Sequence, residues 1–415
     1  MTDWLRSTRE RPRVVVAGGG VAALEACLLM REYVSADEAD IELLAPSQRF
    51  TYRPLSVLES FGGPRTWSMP LGQFAADQEI DLHHSGLAAV RPSEHVVVTT
   101  AGARRFYDLL LVAIGARAVP ALPGALTFQG SVDAPAIRRI LDEAHARLHR
   151  TIVFAVAAGT SWHLPLYELA LLTAGDLRAR GATTQVVLVT PERAPLEAFG
   201  AEAADVVARL LDEHGIAVVC GAAPLSVGRN ALELVDGRSI PADRVVALPR
   251  ATGRYVQGLP HDASGFIPVD RHARVDGLDG VYAAGDITTF PFKQGGLASQ
   301  QADAAAEAML SDLGLPIDPR PFAPVLQGVL YGGAVPTYLR RTLHDGAGTD
   351  PSPRSYSLWW PPSKIAGRRL SAYLTLRAGA PRAPEVRPSA DIVPVRVDLT
   401  TATDQSGNVA DARGG

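Results

Sequence analysis

Val14-Val15-Val16-Ala17-Gly18-Gly19-Gly20-Val21-Ala22-Ala23 is the stretch on which the fold turns. Four apolar residues read as a short buried strand, three glycines as a tight turn, and the apolar run over residues 21–30 as a helix. Residues 41–45 read as the next strand. Strand, glycine turn, helix and strand within about 30 residues make the βαβ unit of a dinucleotide fold. Gly18-x-Gly20-x-x-Ala23 fits its fingerprint. Gly18 makes the turn, Gly20 lets backbone approach a pyrophosphate, and small Ala23 lets helix pack on strand. The acid that usually ends the second strand, to hold ribose hydroxyls, is missing. Ala45 and Pro46 stand there, and Glu42 lies inside the strand, pointing elsewhere.

Outward from this unit, residues 106–115 (FYDLLLVAIG) read as a buried strand ending in glycine. A second βαβ pattern begins at Thr151, with strands over 152–156 and 185–189 around a helix over 165–173. A helix over 201–214 is stopped by Gly215, and residues 216–220 form the next strand. Asp236-Gly237 turns a hairpin. Residues 280–286 (GVYAAGD) read as a strand reaching a Gly-Asp corner, followed by an Ala-rich helix over 301–313. Residues 380–415 read as a mobile tail.

Composition excludes several classes. The chain is 47% hydrophobic and 20% charged, which rules out wholesale disorder. Two cysteines, Cys27 and Cys220, cannot build a disulfide scaffold or a four-thiolate metal site. Both sit in apolar runs and are expected in the core. The His residues show no i, i+4 pair with an acid, so no metal site is expected. A net charge of −4 gives no general pull on nucleic acid. The 40 basic residues are 38 arginines and two lysines, Lys293 and Lys364. The Arg-rich N-terminus has no secretory pattern and no eighteen-residue apolar window exists, so a cytoplasmic protein without a spanning helix is expected. Trp359-Trp360, beside Lys364, Arg368 and Arg369, reads either as a docked segment closing the fold or as a peripheral membrane contact.

Three ordered motifs carry a resemblance: Gly18-Gly19-Gly20, the Tyr107–Gly115 run, and Val281-Tyr282-Ala283-Ala284-Gly285-Asp286. Together they resemble the FAD-dependent pyridine nucleotide-disulfide oxidoreductase superfamily, over roughly residues 13–310. The resemblance implies FAD as cofactor, with Ala113 and Gly115 marking the crossing back from the second domain. It also implies that Asp286 holds the ribityl chain and that Gly285 allows its approach. Within the superfamily the chain is most similar to the sulfide:quinone oxidoreductase and type II NADH dehydrogenase branch. Thr51-Tyr52-Arg53-Pro54-Leu55 resembles that branch's loop to the flavin, and Lys293-Gln294-Gly295 its segment beside the isoalloxazine. Leu330-Tyr331-Gly332-Gly333 and Trp359-Trp360 resemble its C-terminal region, which encloses quinone and touches the membrane.

The second half departs from the family pattern. Its fingerprint position reads Val156-Ala157-Ala158-Gly159-Thr160-Ser161-Trp162-His163, with one glycine left and Trp162 placed to plug a phosphate seat. Thr190 stands where an acid is usual, so NAD(P)H is doubtful unless Glu192 or Arg193 serves in an altered mode. Neither cysteine stands where the branch places its thiols, so dithiol exchange is not expected and sulfide as substrate is in doubt. Lys293 is a candidate catalytic cation that would stabilise a reduced flavin anion. Glu168 is read either as a catalytic proton relay or as a helix-surface carboxylate. Arg53 is read either as a bidentate pyrophosphate ligand or as a surface cation.

The expected architecture is α/β: two Rossmann-like (FAD/NAD(P)-binding) domains, the second inserted in the first, with a C-terminal cap. The FAD domain takes residues 11–122 and 263–320, the inserted domain 123–262, the cap 321–379 and the tail 380–415. The expected activity is electron transfer through FAD from a small-molecule donor to a quinone or other small lipophilic acceptor. An NAD(P)H:acceptor reductase and a flavin-binding protein without turnover stay open as alternatives, as does a homodimer.

Overall fold

A computed structural model describes residues 11–333, 335–343, 353–359 and 363–377. The expected tail and Trp360 lie outside the described residues. Two five-stranded sheets, all parallel, organise the chain. The first contains β1 (Arg13–Ala17), β2 (Asp40–Leu44), β3 (Asp81–His83), β4 (Leu109–Val112) and β10 (Val281–Ala283), ordered β10-β4-β1-β2-β3. The second contains β5 (Leu126–Thr127), β6 (Thr151–Ala155), β7 (Gln185–Val189), β8 (Ala217–Val219) and β9 (Arg244–Ala247), ordered β5-β9-β6-β7-β8. These are two doubly wound Rossmann-like folds, as the paired βαβ patterns implied. The order reverses at β1 in one sheet and at β6 in the other, and each switch point is followed by a glycine-containing turn. Antiparallel three-stranded sheets and hairpins decorate both.

The strands read as continuous apolar runs because parallel sheets are covered on both faces. Val14, Val15 and Val16 are at most 1% exposed, each burial contributing about 1.5–3 kcal/mol. The helices that cover the sheets and shape the clefts are α1 (Val21–Tyr33), α2 (Ala134–His145), α3 (Leu164–Ala179), α4 (Ala201–Glu213), α5 (Gly295–Asp312) and α6 (Arg369–Leu376). α5 begins six residues before the expected start at 301, because Gln294 caps it and glycines fill its first turn. The region after α5 contains the hairpin β11 (Val325–Leu330) and β12 (Thr337–Thr342), followed by a segment leading into α6.

The C-terminal segment is docked. Glu25, fully buried on α1, accepts hydrogen bonds from the Arg369 (2.7 Å) and Leu370 (3.0 Å) amides, so one carboxylate caps α6. Gly367 makes room for it: a Cβ there would lie 2.6 Å from Glu25 Oε2. Trp359 packs edge-on against Tyr338 and donates its indole N–H to the Ser363 carbonyl. No helix among the described residues is long and apolar enough to cross a membrane.

Candidate functional site

The ends of β1, β4 and β10 meet at the first glycine turn. Gly18 has φ +135°, and a Cβ on it would stand 2.1 Å from the Ala113 carbonyl oxygen. The Ala113 amide in turn donates to Ala17 O at 2.7 Å. Gly20, the N-cap of α1, faces open space and supplies no side-chain cap, so the amides of the first turn stay available to an anion. Ala23 is fully buried under the helix. Gly115 (φ +66°) also faces open space. Gly285 (φ +79°) is wedged where α1 and α5 converge, a Cβ there meeting Ala22 at 3.1 Å and Ala298 at 3.4 Å. Gln301, on α5, fixes this corner by accepting from the Gly285 amide (2.8 Å) and the Thr288 hydroxyl (3.1 Å).

Next to this corner stands Asp286. Burial pushes its carboxyl above the usual carboxylate range, opposed by the positive charges of Lys293 and Arg53. The glycine cradle, the uncapped start of α1 and this carboxylate fit a dinucleotide such as FAD. Lys293 is half-buried rather than a solvated loop lysine. Burial pushes its ammonium down to about 8, opposed by Asp286 and Asp262. It donates to the carbonyls of Thr288 and Phe290 and lies 3.9 Å over the Phe266 ring, leaving one N–H uncommitted. Gln294 is committed at both ends: its Oε1 accepts from Leu297 N, and its Nε2 donates to Gln327 O. These two bonds fix the orientation of the amide and leave it one further donor and one further acceptor.

A chamber of about 230 Å³ opens between the two Rossmann folds, lined by Arg53, Pro54, Trp162, Lys293, Gln294 and Lys364 among others. Arg53 is exposed on its rim. In its wall lies a pair that motif reading leaves unjoined. Lys364 donates to Glu168 Oε1 at 2.6 Å and Oε2 at 2.7 Å, and to the Pro54 carbonyl at 3.2 Å. Glu168 is fully buried, which corrects the helix-surface alternative: the first turns of α3 are apolar nearly all round and covered, and only its last turn, with Arg178, reaches solvent. Its Oε1 also accepts the Tyr331 amide at 3.0 Å. Burial raises the Glu168 carboxyl and lowers the Lys364 ammonium, each opposed by the partner's charge. Tyr331 completes the cluster, its ring 4.7 Å from Lys364 Nζ and its buried hydroxyl without a hydrogen-bond partner among the described residues.

The second fingerprint loop borders a larger chamber of about 750 Å³. Glu192, just past β7, has one oxygen engaged: Oε2 accepts from Tyr167 Oη (2.7 Å) and Thr190 Oγ1 (2.9 Å) and lies 3.1 Å from His163 Nδ1. Although burial opposes charge on both, their mutual contact raises the His163 pKa and lowers that of Glu192, which favours protonation of the imidazole beside the carboxylate. Cys27 is fully buried and burial pushes its thiol up to about 12. Cys220, expected in the core, is half-buried because it lies just beyond β8, where the strand has left the sheet. Burial and the negative charges of Glu192 and Glu197 raise its thiol too. Neither cysteine lines the 230 Å³ chamber.

Comparison with known proteins agrees with this geometry. Residues 168–308 match the family described as pyridine nucleotide-disulphide oxidoreductase. An NADH dehydrogenase-like protein of Mycobacterium tuberculosis is 29% identical over 297 residues, 66% of this chain and 72% of the relative. A sulfide-quinone reductase of Aquifex aeolicus is 23% identical over 347 residues, 76% of this chain and 80% of the relative. The X-ray structure of the Aquifex aeolicus sulfide:quinone oxidoreductase superposes with a TM-score of 0.72 at 21% identity, covering 79% of this chain and 83% of that one. With its ordered glycine motifs and paired parallel sheets, the chain resembles the pyridine nucleotide-disulfide oxidoreductase superfamily of flavin enzymes, and these relatives support its likeness to the branch of sulfide:quinone oxidoreductases and type II NADH dehydrogenases.

Proposed function

We propose that this protein binds FAD and passes electrons to a quinone or another small lipophilic acceptor, without dithiol chemistry. The observation that carries the reading is the buried Glu168–Lys364 pair in the wall of the chamber that Lys293 and Arg53 also line. Bound FAD supplies the two-electron redox chemistry. The protein supplies placement and protons. Gly18, Gly20 and the start of α1 cradle the pyrophosphate, and Asp286 with Gly285 takes the ribityl chain. A quinone that accepts two electrons must also take up two protons. Lys364 Nζ, held by Glu168 at the chamber wall, can give one of them by turning the N–H that now meets the Pro54 carbonyl, and the second comes from solvent. High thiol pKa values at Cys27 and Cys220 argue against a cysteine persulfide route.

The test is direct. Purified protein is expected to carry a yellow chromophore and, once reduced anaerobically, to be reoxidised by a short-chain quinone. A colourless protein whose melting temperature FAD does not raise would sink the reading. The 29% identity to an NADH dehydrogenase-like protein favours a second reading, in which NADH is the donor. Anaerobic titration with NADH, NADPH and sulfide side by side separates the donors.

Lys293 adds a pH signature. Its charge is present at pH 7 and is lost as the pH passes about 8. The flavin midpoint potential is expected to show a break near that pH. Lys293→Met should remove the break and lower the potential at pH 7 by about 30 mV, the two-electron equivalent of about 1.4 kcal/mol. Lys293→Arg should keep the potential and lose the break. Because this pKa lies below the ordinary lysine value of 10.5, the group also makes the fold more stable as pH rises from about 8 toward 10.5.

A further inference from the structure

Trp162 lines both chambers, with the 230 Å³ space on one side and the 750 Å³ space on the other. Its position is braced. The Phe199 ring meets it edge-on at 5.8 Å and 62°, and Phe199 is itself buried. Behind Phe199 lies Gly328 of β11, where a Cβ would stand 2.8 Å from Phe199 Cζ and 2.7 Å from Leu164 Cδ1. The hairpin backbone thus presses on the brace, and Phe199 cannot swing back into it. The outer chamber has room for a substantial ligand, and part of its polar floor is paired within the protein: His163 Nε2 with the Thr160 carbonyl, His163 Nδ1 with Glu192 Oε2, and Glu192 Oε2 with Tyr167 and Thr190, while Thr160 Oγ1 has no partner among the described residues. Among the described residues Trp162 is the one side chain in both linings, so its indole stands between the outer chamber and the one that Lys293 lines.

We propose that Trp162 is the specificity-determining partition of this protein: it keeps a nicotinamide entering the outer chamber away from the inner one and so selects against NAD(P)H as reductant. This rests on the reading that the inner chamber is the flavin's redox face. Trp162 is then a wall between two rooms rather than a plug in a phosphate seat. With the wall removed, the C4 hydride of NADH would pass whole, proton and two electrons together, to a bound flavin, leaving NAD⁺.

The experiment compares wild-type holoprotein with Trp162→Gly, Trp162→Phe and Phe199→Ala. The first readout is NAD⁺ affinity, by calorimetry on the oxidised protein, where no turnover occurs. The second is the anaerobic rate of flavin bleaching by NADH. Trp162→Gly should bind NAD⁺ at least about tenfold tighter than wild type and bleach at least about tenfold faster, a gain of about 1.4 kcal/mol in each. Trp162→Phe should behave as wild type, and Phe199→Ala should fall between. Wild type bleached by NADH as fast as Trp162→Gly would overturn the proposal. So would a folded Trp162→Gly that gains in neither readout. If Trp162→Gly does not fold, Phe199→Ala decides: a gain supports the partition and no gain overturns it. A colourless wild type defeats the flavin reading alone, because the ratio of NAD⁺ affinities still reports on Trp162.

Discussion

Replacing Gly18 by Ala is expected to cost about 3 kcal/mol or more of stability and to leave the protein colourless. Two effects add. A side chain at φ +135° is strained whatever surrounds it, and here the new Cβ would stand 2.1 Å from the Ala113 carbonyl oxygen. That carbonyl belongs to the backbone where β4 ends, so relief requires β1 and β4 to part at the cofactor end of the sheet. Chemical denaturation measures the first effect and absorbance near 450 nm the second. Gly20→Ala is the control, because its Cβ meets nothing within 4 Å. It should stay folded and lose flavin selectively if the open space above it receives the pyrophosphate. A Gly18→Ala protein with wild-type stability would contradict the close approach.

Replacing Lys364 by Met is expected to cost about 3–5 kcal/mol at neutral pH, because it leaves the Glu168 carboxylate buried and unpaired. The defect should shrink in acid. Without Lys364 the carboxyl pKa rises further above its unfolded value, so the stability present below that value is lost as the pH climbs through the raised one. Adding Glu168→Gln should recover most of the loss, since a neutral amide still accepts the Tyr331 amide. Quinone reduction should fall by about 10² or more in either Lys364 variant, the double variant included, if the ammonium is the proton donor. A double variant that regains both stability and rate would assign the pair to structure alone.

The two predictions draw on parts of the chain that are unequally legible in sequence. The β1–glycine–α1 unit declares itself because strand, turn and helix are adjacent and each residue answers a local steric demand. The parallel sheets follow from continuous apolar runs. Glu168 and Lys364 are 196 residues apart, and no local pattern joins them. Half of the signal was nevertheless in view. Lys364 is as rare as Lys293, yet beside two tryptophans it invites a surface reading. Glu168 stands among Leu164, Leu166, Tyr167, Leu169 and Leu171, an all-round apolar helix in which a carboxylate has no solvent to reach. An acid buried by its own helix demands a cation from elsewhere. The helix Ala134–His145, which motif reading passes over, carries Ile137, Ile140, Leu141 and Ala144 at helical spacing. Trp162 shows the opposite failure: its bulk is plain in sequence, but which two spaces it divides depends on Phe199 and Gly328.

The docking of the last helix also bears on biogenesis. Glu25 leaves the ribosome 344 residues before the Arg369 amide it caps, and Glu168 leaves it 196 residues before Lys364. Until the end of the chain emerges, both carboxyls lack the donors that offset their burial, while the Gly18 cradle is complete from the first sheet. The wall of the 230 Å³ chamber is thus unfinished until Lys364 and Ile365 have been made. A chain cut off before residue 364 would keep the Glu168 carboxyl in its interior with no Lys364 to offset the burial.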